Sequence, residues 1–108
     1  MIIRDTDMNG LKIIDIEPLQ DERGFFARSF CTDEFTRHNL EYAIVQCNIA
    51  HNLRKGTLRG MHYQLPPHEE VKMVRCTQGA IFDVAIDLRK ASATYLQWRG
   101  FELRADEY

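Results

Sequence analysis

His62 lies in the run Gly56-Thr57-Leu58-Arg59-Gly60-Met61-His62-Tyr63-Gln64, three residues after Arg59 and ten before Lys72. An imidazole is the side chain best suited to moving a proton near neutral pH. A guanidinium can hold a phosphate at two points at once. Residues three apart on a strand point to opposite faces unless the backbone bends. Gly56 and Gly60 flank the arginine segment and permit such a bend. The bland alternatives are a polar strand end with a surface histidine and, for Lys72, a solvated loop lysine.

The elements around these residues read as β. The runs 11–18, 24–30, 42–50, 57–63, 71–77, 81–87 and 95–103 are short and rich in β-branched or aromatic residues. Gly, Pro, Asp or Asn bounds them. Their spacing predicts an all-β sandwich or barrel whose open edges need covering. The run Thr32–Asn39 predicts one short helix, with Thr32 as the capping residue, acids in its first turn and Arg37 and His38 near its end. Leu65–Glu70 contains Pro66 and Pro67 and reads as a loop. Thr77–Ala80 reads as a turn.

A chain of 108 residues makes a single domain, 1–108. Its 14 basic residues are scattered and matched by 16 acidic ones, so no basic stripe suggests nucleic acid. No apolar run approaches a bilayer-spanning length, and the N-terminus has no secretory pattern, so the cytoplasm is the expected location. Cys31, Cys47 and Cys76 form neither a CxxC pair nor a disulfide framework; buried or half-buried free thiols are the reading.

Five segments in this order resemble the dTDP-4-dehydrorhamnose 3,5-epimerase family of the cupin superfamily. They are Asp21–Phe26, Gln46–Asn48, Leu58–Gln64, Lys72–Cys76 and Gly79–Arg89, and the resemblance runs from about Ile13 to Leu103. It implies a cupin-type jelly-roll β-barrel, present in part. It also implies metal-free, cofactor-free epimerisation of a nucleotide-diphosphate 4-keto-6-deoxy sugar by a homodimer. A carbon acid beside a ketone needs a base and a group facing the developing enolate oxygen. By resemblance His62 is the base and Lys72 faces the enolate; a neutral imidazole and a fixed cation divide that task. Arg23 and Arg59 match residues that contact the diphosphate, with Gln46 and Asn48 beside them. Phe26 matches a ring that stacks on the nucleotide base, supplied across the dimer through exchanged N-terminal strands. Two residues on, the family's thymine-binding glutamate is replaced by Arg28, which donates but cannot accept.

The family's histidine-orienting carboxylate, its proton-donating tyrosine and a second histidine in a Pro-x-Gly-x-x-His-Gly segment fall beyond Tyr108. Neither Tyr63 nor Tyr108 matches the donor. Asp83 is an available acid for orienting His62; it shares a strand face with Asp87, and both could instead terminate hydrogen-bonded strands. This length alone is therefore expected to lack full epimerase activity. A non-catalytic sugar-nucleotide binder or truncated module is the second reading. A metal-dependent cupin is the third. His62-Tyr63-Gln64 replaces the His-x-His ligand pair of such enzymes, and His68, Glu69 and Glu70 on a proline loop complete only a poor ligand set.

Overall fold

The computed structural model describes residues 1–107; Tyr108, and the reading that it is not a proton donor, lie outside them. The described chain is β-rich with one short helix. Strands β1 (Ile2–Asp5) and β2 (Lys12–Asp15) form an antiparallel hairpin in which Ile3 faces Ile14. The Thr6 hydroxyl closes its turn, donating to the carbonyls of Met8 and Leu11 and accepting from the Met8 N–H. Strands β3 (Leu19–Asp21) and β4 (Gly24–Phe26) form a second hairpin, with Asp21 opposite Gly24. The last pair, β5 (Ala80–Ile86) and β6 (Trp98–Arg104), is the longest ladder, running from Ala80 opposite Arg104 to Ile86 opposite Trp98. In it the Phe82 ring lies over Gly100, where a Cβ would come within 2.3 Å of the ring. The glycine is therefore what lets the aromatic ring cross the ladder.

The helix α1 is Thr32–Arg37, shorter than the sequence predicts. Its cap differs too. Cys31 occupies the N-cap with extended backbone and no side-chain cap bond, whereas Thr32 is already helical and its carbonyl accepts from the Thr36 hydroxyl at 2.8 Å. Asn39, at φ 54°, turns the chain out of the helix, a conformation asparagine tolerates better than most residues. Phe35 is the buried face of α1 and meets Phe30 edge to face at 4.9 Å.

Residues 42–50, 57–63 and 71–77 are not strands. Their composition suits strands, but a strand exists only where a neighbour takes up its N–H and C=O groups. Among the described residues, backbone bonds in this stretch are local turns: Ile44 to Tyr42, Thr57 to Arg54, His68 to Leu65. The last of these closes the predicted proline loop. The apolar side chains here face outward; Val45 is 96% and Ile49 97% exposed. The buried apolar set among the described residues is correspondingly thin: Met8, Phe35 and Cys76. The radius of gyration, 15.4 Å, exceeds the roughly 13 Å of a compact domain this long. All three thiols are free; Cys76 is buried and Cys31 half-buried, but Cys47 is exposed, contrary to its expected burial.

Two long-range ties fix the N-terminal turn to the final hairpin. Arg99 on β6 holds Asp7 at 2.6 Å. Arg89 donates to the Asn9 carbonyl at 2.7 Å while its Nε and Nη2 grip Asp87. Asp87 is buried and also accepts from the Arg89 N–H and the Thr94 hydroxyl. These donors, Arg89 first, hold its carboxyl far below the usual carboxylate range. A depressed carboxylate contributes its stability above the ordinary value near 3.9 and loses it as pH falls toward its own lower value. Urea unfolding of wild type and Asp87→Asn should therefore show a weaker variant, with a gap that is constant from about pH 8 to 5 and narrows only below about pH 4. A gap that closes above pH 5 would contradict this.

Candidate active site

The β3–β4 turn positions two of the predicted ligands. Its loop residues Glu22 and Arg23 are followed by Gly24 at φ 126°, a backbone conformation that glycine accepts without strain. Asp21 closes the turn by accepting the Arg23 N–H at 2.8 Å. The Arg23 guanidinium then folds back on the same carboxylate, Nη2 to Oδ2 at 2.5 Å, and this contact foremost holds the Asp21 carboxyl below its ordinary range. Phe26 stands at the other end of the hairpin, opposite Leu19, and is largely exposed. A shallow groove of about 260 Å³ lined by Leu19, Asp21, Arg23, Gly24, Phe25 and Phe26 joins the two ends. Arg23 and Phe26 thus share one surface.

Arg28, two residues after Phe26, is already paired within the chain. Its Nη1 meets Glu34 of α1 at 2.6 Å, and Glu34 also holds the Met1 ammonium at 3.0 Å. The Glu34 carboxyl is held below the usual range by Arg28 first and the terminal amine second.

The irregular stretch carries the remaining residues. Gln46 donates to Asn48 at 3.2 Å. The Thr57 hydroxyl and N–H both reach the Arg54 carbonyl, and Gly56 at φ 79° carries the chain round. This turn brings Arg59 back alongside residues 51 and 52. Its Nε donates to Asn52 Oδ1 at 2.7 Å and its Nη2 to the His51 carbonyl at 3.3 Å. Gly60, at φ 105°, provides the bend expected between Arg59 and His62. His62 is exposed, and among the described residues its side chain has no hydrogen-bond or ion-pair partner. Lys72 pairs with Glu70 at 2.8 Å. Asp83 is half-buried on β5 opposite Phe101. Among the described residues, no hydrogen bond or ion pair links His62, Lys72 and Asp83 to one another. Asp83 and Asp87 also part company: Asp83 is within the ladder, whereas Asp87 belongs to the end loop and Arg89.

Sequence reasoning missed the partners that hold these side chains. In the sequence Asp21 reads as part of a motif and Glu70 as a candidate metal ligand on the proline loop. The i, i+2 spacing of Asp21 with Arg23 and of Glu70 with Lys72 is a usable signal, since a carboxylate two residues away in extended or turning chain is within reach. Asn52 and Arg59 carry no such signal; only the intervening turn brings them together.

The dTDP-4-dehydrorhamnose 3,5-epimerase family matches residues 5–108, nearly the whole chain. The chain belongs to that family. Enzymes bearing the same name are 41% identical over 104 residues in Shigella flexneri and 44% over 98 in Methanothermobacter thermautotrophicus. Those alignments cover 94% and 91% of this chain but 56% and 52% of the relatives, so the chain spans about half the length of the curated relatives it matches. A Bacillus anthracis epimerase solved with TDP and PPi bound superposes with a TM-score of 0.94 at 36% identity, covering 98% of this chain and 61% of that one. An Elizabethkingia anophelis epimerase gives 0.93 at 35% identity. The fold is accordingly a part of the family's cupin-type barrel. Residues 42–77 follow the family path while lacking, among the described residues, the ladders that would make them strands.

The Glu70 carboxyl is held below the ordinary glutamate range, by Lys72 first and by Gln64 second. An NMR titration should find Glu70 protonating below the ordinary value near 4.3 and returning toward it in Lys72→Ala. An unchanged titration in the variant would mean that the lysine is not its partner.

Proposed function

We propose that this chain carries the sugar-nucleotide site of a dTDP-4-dehydrorhamnose 3,5-epimerase, in which His62 removes a proton from a carbon beside the C4 ketone. Lys72 faces the enolate oxygen that develops as the proton leaves. Arg59 and Arg23 hold the diphosphate, Gln46 and Asn48 line it, and Phe26 stacks on the base with Arg28 nearby. Asp83 is the acid on this chain proposed to orient His62.

The chemistry follows from the residue types. Deprotonation beside a ketone gives an enolate whose charge sits on oxygen. A cation fixed at that oxygen stabilises the transition state more than the ground state, and this difference is what speeds the step. The imidazole takes the proton and the ammonium answers the charge, so the scheme calls for no metal or cofactor. Returning a proton to the opposite face inverts the carbon.

One observation carries the reading: among the described residues the His62 side chain is unengaged by the protein, three residues in sequence from an arginine that keeps a free edge, within a segment matched to the family. The TDP and PPi in the Bacillus anthracis relative support a diphosphate ligand for the matched arginines. We further propose a cytoplasmic homodimer. The free thiols suit a reducing compartment, and exposed Ile2, Leu19 and Phe26 on the N-terminal strands suit a partner surface. No helix among the described residues is long and apolar enough to cross a membrane.

A second reading, a binding module without turnover, is favoured by the exposure of His62. Incubation with a dTDP-linked 4-keto-6-deoxy sugar in deuterium oxide separates the two. The epimerase reading predicts deuterium beside the ketone, with exchange slowed about 10²- to 10⁴-fold in His62→Asn. Binding without exchange would support the binding module. Failure to bind would overturn both.

A further inference from the structure

We propose that Asn52 is a positioning residue for Arg59, aiming its guanidinium at the diphosphate; this rests on the function proposed above. A guanidinium presents two hydrogen-bonding edges, one made by Nε and Nη2 and the other by Nη1 and Nη2. In Arg59 the first edge is fully engaged, Nε by Asn52 Oδ1 at 2.7 Å and Nη2 by the His51 carbonyl at 3.3 Å. The second edge has no partner among the described residues. That edge is the one that matches two oxygens of a phosphate.

Charge sets Arg59 apart from the other proposed ligands. Arg23 is paired with Asp21, Arg28 with Glu34 and Lys72 with Glu70. Each of those carboxylates cancels the cation it holds and would repel an incoming anion. Arg59 is held by an amide and a carbonyl, both neutral. Asn52 therefore fixes the direction of the fork without spending its charge, which an aspartate at that position could not do. Holding the side chain in advance also removes part of the rotamer entropy that binding would otherwise cost.

Calorimetric titration of the chain with dTDP and with inorganic pyrophosphate, using Asn52→Ala, Arg59→Ala and the double variant, tests this. Asn52→Ala should weaken both ligands about five- to tenfold, and Arg59→Ala should weaken them more. In the Arg59→Ala background the Asn52 change should have no further effect, since its only role is to hold the missing side chain. Asn52→Leu, of similar size but with no acceptor, should behave as Asn52→Ala. Circular dichroism of each variant should match wild type, because Asn52 is exposed. An Asn52 effect of equal size with and without Arg59 would overturn the proposal, as would unaltered binding in both Asn52 variants while Arg59→Ala binds weakly. If Arg59→Ala binds like wild type, or if the wild-type chain binds neither ligand, the diphosphate site itself is wrong and the proposal falls with it.

Discussion

Asp87 accepts hydrogen bonds from the backbone and guanidinium of Arg89 and from the Thr94 hydroxyl inside the loop that joins β5 to β6. Arg89 also donates from Nη2 to the Asn9 carbonyl, eighty residues away in sequence. This carboxylate is buried and would be costly to leave charged without those donors. The requirement to satisfy it ties the N-terminal turn to the final hairpin, and Arg99 with Asp7 repeats the tie one strand over. These contacts frame the chain. With a buried apolar set of three among the described residues, they carry much of what holds the N-terminal turn and the final hairpin in a fixed relation.

The candidate site lies largely outside that frame. Arg23 and Phe26 are on the β3–β4 hairpin, while Gln46, Asn48, Arg59, His62 and Lys72 occur in a stretch without ladder partners among the described residues. Local contacts do the positioning there. A turn at Arg54–Thr57 returns Arg59 to Asn52, glycine at position 60 bends the chain before His62, and Glu70 pins Lys72. Such short-range constraints fix the direction of a side chain better than they fix the distance between segments. The open strand edges and outward-facing Val45, Ile49, Leu53 and Leu58 are the counterpart of this arrangement.

Much of this was legible in the sequence, for stated physical reasons. The hairpins built on 81–87 and 95–103 alternate or carry β-branched and aromatic residues, and they pair with each other; both survive as β5 and β6 with shifts of a few residues. The helix around Phe35 was visible from its acids and closing base, but not its true cap, because Cys31 supplies backbone conformation and no side-chain signal. Strands β1 and β3 went unread since four- and three-residue runs carry too little periodicity. The runs 42–50, 57–63 and 71–77 have strand composition, and composition says nothing about whether a partner lies alongside. The site residues were named through motifs and family resemblance. Their ion-pair partners two residues away were readable in principle, whereas the Asn52–Arg59 contact depends on a turn whose closure no local pattern announces.

We propose that the Arg59–His62 segment forms one ligand site, with diphosphate at the arginine and sugar at the histidine. A crystal structure of the chain with a dTDP-linked hexose bound tests it most directly. The account predicts phosphate oxygens on the Nη1/Nη2 edge of Arg59 and the sugar ring against the imidazole of His62. A nucleotide bound away from Arg59, or a sugar directed away from His62, would contradict it.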